Sequence, residues 1–290
     1  MTETKPVTVA QSERFDLPSD ILGRGLRLLV ARPQGEPPAA GWPVVYLLDG
    51  FDNFATAAQL VRMMANAGEI RGAVVVGVAY ADPADGARQR WLDLTTRCAQ
   101  KTLDRLGRKD VTEAGTGGLD DYLRAIEAEV KPAVEARLPI DRADQTLFGH
   151  SLGGLAVLRA LFRQTATYRT FLASSPSIWW DEKAILADEP AFAARVKAGE
   201  AAPRVFVCVG GQEETPSRAD PSRGPFTQAE VDKMTRRAKM VGNAHALGRR
   251  LRAIEGPKGY EVESFVFRDE GHLSVIPAAI SRGMTFALRR

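Results

Sequence analysis

The chain is poor in the residues that would announce several common kinds of protein. Two cysteines, Cys98 and Cys208, in 290 residues are too few for a disulfide scaffold. Cys208 lies inside the apolar run Val205–Val209, where a buried free thiol is expected. The three histidines form no His/Cys/Asp/Glu cluster with metal-ligand spacing, so no metal or other cofactor is expected. No window approaches the roughly 18 uninterrupted apolar residues of a membrane span. The first ten residues have no apolar h-region, so no secretory signal is expected and a reduced, cytoplasmic setting follows as the default. Net charge is only +3, which argues against a dedicated nucleic-acid binder. Lys233, Arg236, Arg237, Arg249 and Arg250 read as a solvated helix face. Internal repeats and low-complexity linkers are absent too, so one domain over 1–290 is expected.

What is present is an alternation of short apolar runs with helical segments. Strands are expected at 25–31, 44–48, 73–79, 145–148, 170–174, 204–209 and 261–267, and helices at 56–65, 119–138, 152–162 and 226–254. A polar loop, 80–118, and a helical, Ala-rich stretch, 180–203, suited to a small lid, complete the pattern. Continuously apolar strands between helices imply an α/β fold with a mostly parallel central sheet covered on both faces.

The most informative stretch is Gly149-His150-Ser151-Leu152-Gly153. A strand precedes it and an apolar helix follows, the context that a G-x-S-x-G nucleophile elbow requires. Glycines flank the serine where the backbone must turn sharply, and the helix N-terminus offers N–H groups to a developing oxyanion. A nucleophilic serine needs a base. His150 adjoins Ser151, but its ring projects away across the turn, which suits a packing role. His245 sits on the late charged helix. His272 follows the last strand, at the sheet edge where ligands of open α/β sheets collect, and it completes the order nucleophile, acid, histidine. The acid should follow a strand between them. Glu213 and Glu214, directly after 204–209, are both eligible, and spacing does not separate them; Asp269 is expected to point elsewhere. For the oxyanion hole the expected donors are the N–H of Leu152 and one from the Asp49-Gly50-Phe51 loop.

These segments resemble the esterase branch of the α/β-hydrolases that contains the enterochelin and salmochelin esterases. The resemblance rests on Val44-Val45-Tyr46-Leu47-Leu48-Asp49-Gly50-Phe51, 88–95, 148–155, Ser174-Ser175-Pro176-Ser177-Ile178-Trp179-Trp180, 209–214 and 270–272, in the family's order. Thr96 stands where the family often has proline. The resemblance implies Ser151 as nucleophile, His272 as base and an oxyanion hole near Gly50 and Leu152. It leaves the acid open, because some members are thought to use a Ser–His dyad. It also implies a small-molecule ester substrate, first of all an anionic ferric siderophore trilactone. Arg88, Arg90 and Trp91, with Trp179 or Trp180 as an aromatic wall, are then candidate substrate contacts, since guanidinium pairs with anions and stacks on rings. The alternatives are a short-acyl or feruloyl-type carboxylesterase, an acyltransferase, or a binding protein that retained the scaffold without catalysis.

Overall fold

The computed structural model describes residues 7–215 and 226–290. Eight strands form one sheet in the order β1-β2-β4-β3-β5-β6-β7-β8. They are β1 (Ser12–Ser19), β2 (Arg24–Ala31), β3 (Trp42–Leu47), β4 (Val74–Tyr80), β5 (Ile140–His150), β6 (Thr170–Ser174), β7 (Arg204–Gly210) and β8 (Glu261–Phe267). β1 and β2 are antiparallel to their neighbours, and the run from β4 to β8 is parallel. The α/β fold expected from the apolar strands is therefore borne out.

Alternate side chains of each strand enter the two halves of the core. Val44, Tyr46 and Leu48 face one half; Val45 and Leu47 face the other. α1 (Gly50–Asn66) and α10 (Val275–Leu288) cover the second face through Phe54, Val61, Ile280 and Met284. α4 (Leu119–Ala125), α6 (Leu152–Arg163), α7 (Glu189–Lys197) and α9 (Met240–Arg252) cover the first through Leu123, Leu158, Phe192 and Leu247. Among the described residues no helix is long and apolar enough to cross a membrane.

Four expectations change. The edge strand β1 was not foreseen because its alternation is mostly polar; it buries little beyond Phe15 and Leu17 against the core. The 80–118 stretch is not a polar loop, for it contains α2 (Gly86–Asp93) and α3 (Gln100–Leu106) and buries Leu94, Cys98, Leu103 and Val111. These anchors are too widely spaced to give a helical period. The 119–138 helix consists of α4, a π-turn at Ile126–Val130 and α5 (Lys131–Glu135). Pro132 has no N–H to continue the ordinary ladder, which accounts for the changed register. The 226–254 segment is two helices, α8 (Gln228–Ala238) and α9, parted at Lys239, whose backbone is left-handed at φ 44°.

The 180–203 stretch is helical only in part: Trp180–Asp188 is broken by left-handed backbone at Asp181, Glu182 and Lys183, α7 follows, and 198–203 is irregular. Trp180, Ile185, Phe192 and Val196 bind it into the core against α6, and Phe162 and Phe192 have ring centroids 5.5 Å apart. Phe192→Ala should therefore cost about 3–5 kcal/mol in urea unfolding. A loss below about 1 kcal/mol would mean that this segment is not anchored as the packing indicates.

Candidate active site

The C-terminal edge of the parallel strands carries the polar groups that the fold leaves facing outward. β5 ends in His150, Ser151 stands at φ 60°, ψ −116°, and α6 begins at Leu152. A non-glycine residue held there stores backbone strain and needs support from its surroundings. Support comes from the β6 side, where Ser151 N–H donates to Ser174 O at 3.0 Å and Ser177 N–H donates to Ser151 O at 3.0 Å. Gly149 and Gly154 are required by space. A Cβ on Gly149 would lie 2.2 Å from Gly153 O, and one on Gly154 would lie 2.7 Å from Ser174 O.

His272 Nε2 lies 3.0 Å from Ser151 Oγ, and its Nδ1 lies 2.7 Å from Glu213 Oε2. The other oxygen of Glu213 accepts from Ser175 Oγ at 2.5 Å and from Gly210 N–H at 2.7 Å. Its side chain is 1% exposed, against 41% for His272, so the carboxylate is a fixed buried acceptor beneath a ring that solvent and ligand can reach. Gly210 and Gly211 make this crossing possible. A Cβ on Gly210 would lie 2.4 Å from Glu270 O, and one on Gly211 would lie 2.6 Å from Arg268 O, so only glycine lets the acid loop pass under the histidine loop. Glu214 points away and accepts from Gly242 N–H at 2.9 Å. Of the two carboxylates, Glu213 meets His272 and Glu214 does not. Asp269 and His245 are exposed outside this cluster.

His150 packs its ring against His272, with centroids 4.6 Å apart, and its Nδ1 lies 3.0 Å from Ser174 Oγ. Burial, and after it the neighbouring His272 and Arg90, holds His150 well below the ordinary histidine pKa. A neutral ring therefore backs His272. The three serines at the end of β6 and just after it were not read as functional from the sequence, yet each touches the cluster. Ser174 meets His150, Ser175 holds Glu213, and Ser177 Oγ is 3.5 Å from Ser151 Oγ. Ser175 stands at φ 42°, a second non-glycine residue in the left-handed region beside the cluster. The signal was the Ser-Pro-Ser run, quoted above only for its resemblance.

Two helix N-termini also meet here. Leu152 opens α6, while Gly50 and Phe51 open α1, and N–H groups at the first positions of a helix have no intrahelical acceptor. A Cβ on Gly153 would lie 3.3 Å from Asp49 Oδ2 and 3.5 Å from Leu48 Cβ, which measures how closely the two ends approach. The Phe51 side chain is exposed, so only its backbone is placed toward this junction.

Ser151, Leu152, Ser177, Glu213 and His272 line one end of a cavity of about 1070 Å³. Trp91 and Trp179 line its wall; Trp180 does not, being buried with its Nε1–H donated to Thr96 O at 3.0 Å. Arg88 is excluded as a cavity residue, because it is exposed and its guanidinium is paired with Asp85. Arg90 does line the cavity, but its Nε and Nη2 donate to the two oxygens of Asp49 at 2.8 and 3.0 Å. Sequence reasoning missed Arg108, whose guanidinium carbon lies 4.7 Å from the Trp91 ring centroid, 5.8 Å from that of Trp179 and 5.7 Å from that of Phe226. Lys233 and Arg237 of α8, read as a solvated face, also line the cavity, with Arg105 and Lys183. From the 180–203 stretch only Glu182 and Lys183 reach it; α3 and α8 supply the rest of that side.

A serine elbow on a parallel sheet, with histidine and a buried carboxylate following in chain order, defines an α/β-hydrolase site of the serine-hydrolase type. The family described as "Putative esterase" matches residues 19–249, and the chain belongs to that family. It is similar to the ferri-bacillibactin esterase BesA of Bacillus subtilis, at 34% identity over 91% of this chain and 85% of that one. It is similar also to the siderophore triacetylfusarinine C esterase of Aspergillus fumigatus, at 33% identity over 97% and 94%. Among solved structures, the BES protein from Bacillus cereus superposes with a TM-score of 0.80 at 27% identity, covering 100% of this chain and 99% of that one. The siderophore hydrolase EstA from Aspergillus nidulans does so with a TM-score of 0.80 at 26% identity, over 99% and 98%. The protein is thus a carboxylic ester hydrolase of the α/β-hydrolase fold.

Both cysteines lie in or beside this architecture, and burial above all pushes each thiol up to about 12. At pH 8 the native protein should accordingly show no rapid reaction with a disulfide reagent such as DTNB, while both thiols titrate in denaturant. One fast equivalent in the native protein would contradict the burial of Cys98 or Cys208.

Proposed function

We propose that this chain is a single-domain serine esterase that opens trilactone siderophores in their anionic ferric form through an acyl-enzyme on Ser151. The observation that carries the mechanism is the unbroken hydrogen-bond chain from Ser151 Oγ through His272 to Glu213 at one end of the cavity. Ser151 Oγ attacks the lactone carbonyl as His272 Nε2 takes its proton. The oxyanion that forms is received by the N–H of Leu152 and by one from the Gly50–Phe51 turn. On collapse the C–O bond of the lactone breaks, and His272 returns the proton to the leaving alkoxide. Water, deprotonated by the same ring, then attacks the acyl-enzyme; the acyl C–Oγ bond breaks, His272 returns the proton to Ser151 Oγ, and the acid leaves. Glu213 keeps the Nδ1–H tautomer and stabilises the imidazolium without taking its proton.

Two features support the choice of substrate. The relatives named above act on siderophores, and the cavity wall joins aromatic faces to cations, the combination suited to an anionic complex of aromatic ligands. The ferric ion is cargo in this reading and takes no part in the chemistry. A cytoplasmic setting, where reduced thiols persist, accords with two free buried cysteines.

Ser151→Ala should abolish turnover. Glu213→Gln, which removes the acceptor for Nδ1–H, should lower kcat by ~10³–10⁴-fold. Glu214→Gln should remain within about threefold of the parent, as expected for a surface residue. Equal losses from the two glutamate variants would overturn the assignment of the acid. A panel of ferric trilactone, short-acyl and feruloyl esters, read by mass, tests the substrate. Hydrolysis of simple esters with the trilactone left intact would sink the siderophore reading and leave a general carboxylesterase.

A further inference from the structure

Asp49 is an aspartate in the place where aspartate ordinarily caps a helix, yet it does not cap. It is the N-cap residue of α1, and its side chain makes no hydrogen bond to the first turn. Normally such a carboxylate folds back onto the N–H groups of the second or third helical residue. Here the backbone is left-handed, at φ 53°, ψ 53°, and both carboxylate oxygens are held in the fork of Arg90. The turn below is tightly seated. Asp52 and Asn53 donate their N–H groups to Asp49 O, Asn53 Nδ2 donates to Leu48 O, and a Cβ on Gly50 would lie 2.7 Å from the backbone of Gly77. The N–H of Phe51, the second helical residue and one such capping target, therefore stays uncovered by the Asp49 carboxylate.

We propose that Arg90 is a positioning residue for the oxyanion hole. Its fork draws the Asp49 carboxylate away from the first turn of α1, so that this N–H remains open to the substrate oxyanion. The inference rests on the Ser151 mechanism above, and it reassigns Arg90 from the substrate contact expected from the sequence. Without the fork, the freed carboxylate would swing onto the same N–H. It would compete with the oxyanion as a hydrogen-bond acceptor and oppose it as a negative charge. The harm would then come from Asp49, which makes the sign of a double substitution diagnostic.

The test uses the full chain with two p-nitrophenyl esters, the neutral acetate and the anionic hemisuccinate. Arg90→Met should lower kcat by ~10²-fold on both, about the effect of losing one oxyanion donor, with KM little changed. Phosphonylation of Ser151 by a neutral fluorophosphonate should slow in parallel. Asp49→Asn, which tolerates the left-handed backbone but takes the counter-ion from Arg90, should itself lower kcat, whereas added to Arg90→Met it should restore about tenfold of the loss. Three results would each overturn the proposal: unchanged kcat on the acetate, a KM rise confined to the hemisuccinate (the mark of a substrate receptor), or a double variant no better than Arg90→Met. If Arg90→Met does not fold, Arg90→Lys carries the test, since it keeps the charge and loses the fork. Ser151→Ala is assayed beside them. Residual turnover there would overturn the Ser151 mechanism, whereas an inert Ser151→Ala with a failed Arg90 pattern would remove the proposal alone.

Discussion

The left-handed backbone at Ser151 is the constraint on which the rest of the site depends. A serine at φ 60°, ψ −116° is held against a cost on the order of 1–3 kcal/mol. What holds it is the chain leaving β6, clamped to the serine by two backbone hydrogen bonds. The same few residues then turn to hold Glu213 through Ser175. Strain at Ser151 and placement of Glu213 are thus supported by one loop.

Electrostatics follow from that arrangement. A carboxylate buried as deeply as Glu213 is expensive unless each of its oxygens finds a donor. One oxygen takes a hydroxyl and a backbone N–H; the other takes the imidazole. With the acid held, the His272 ring is fixed from below by Glu213 and from the side by the neutral His150. Its remaining nitrogen faces Ser151 and the cavity. In the proposed mechanism His272 exchanges its proton with Ser151, while Glu213 and His150 only hold the ring.

The 80–118 segment connects this chemistry to the cavity wall. Two adjacent residues of α2 face different tasks: Arg90 grips the Asp49 turn, while Trp91 faces the cavity and stacks with Arg108. Membership of the esterase family brings with it the elbow, the histidine and the strand order. What surrounds Ser151 on that side is built from α2, α3 and α8, which bring charged and aromatic side chains to the cavity.

Much of this was legible in the linear chain, for identifiable reasons. Apolar runs such as β4 and β7 are buried along their whole length, so they forced a parallel sheet covered on both faces, and β6 and the half-buried β8 also fall where the pattern put them. Glycine spacing around Ser151 and the position of His272 after the last strand were equally plain, because backbone geometry at those points tolerates few residues. The sequence by itself therefore determined the fold, the elbow and the chain order of serine, carboxylate and histidine. Only the tertiary structure could choose Glu213 over Glu214, since adjacent side chains diverge and the choice depends on where Gly210 and Ser175 lie. It alone withdrew Arg88 and Trp180 from the cavity, turned Arg90 toward Asp49 and brought in Arg108, Lys233 and Arg237. Those assignments rest on contacts between segments far apart in the chain, which local periodicity does not encode.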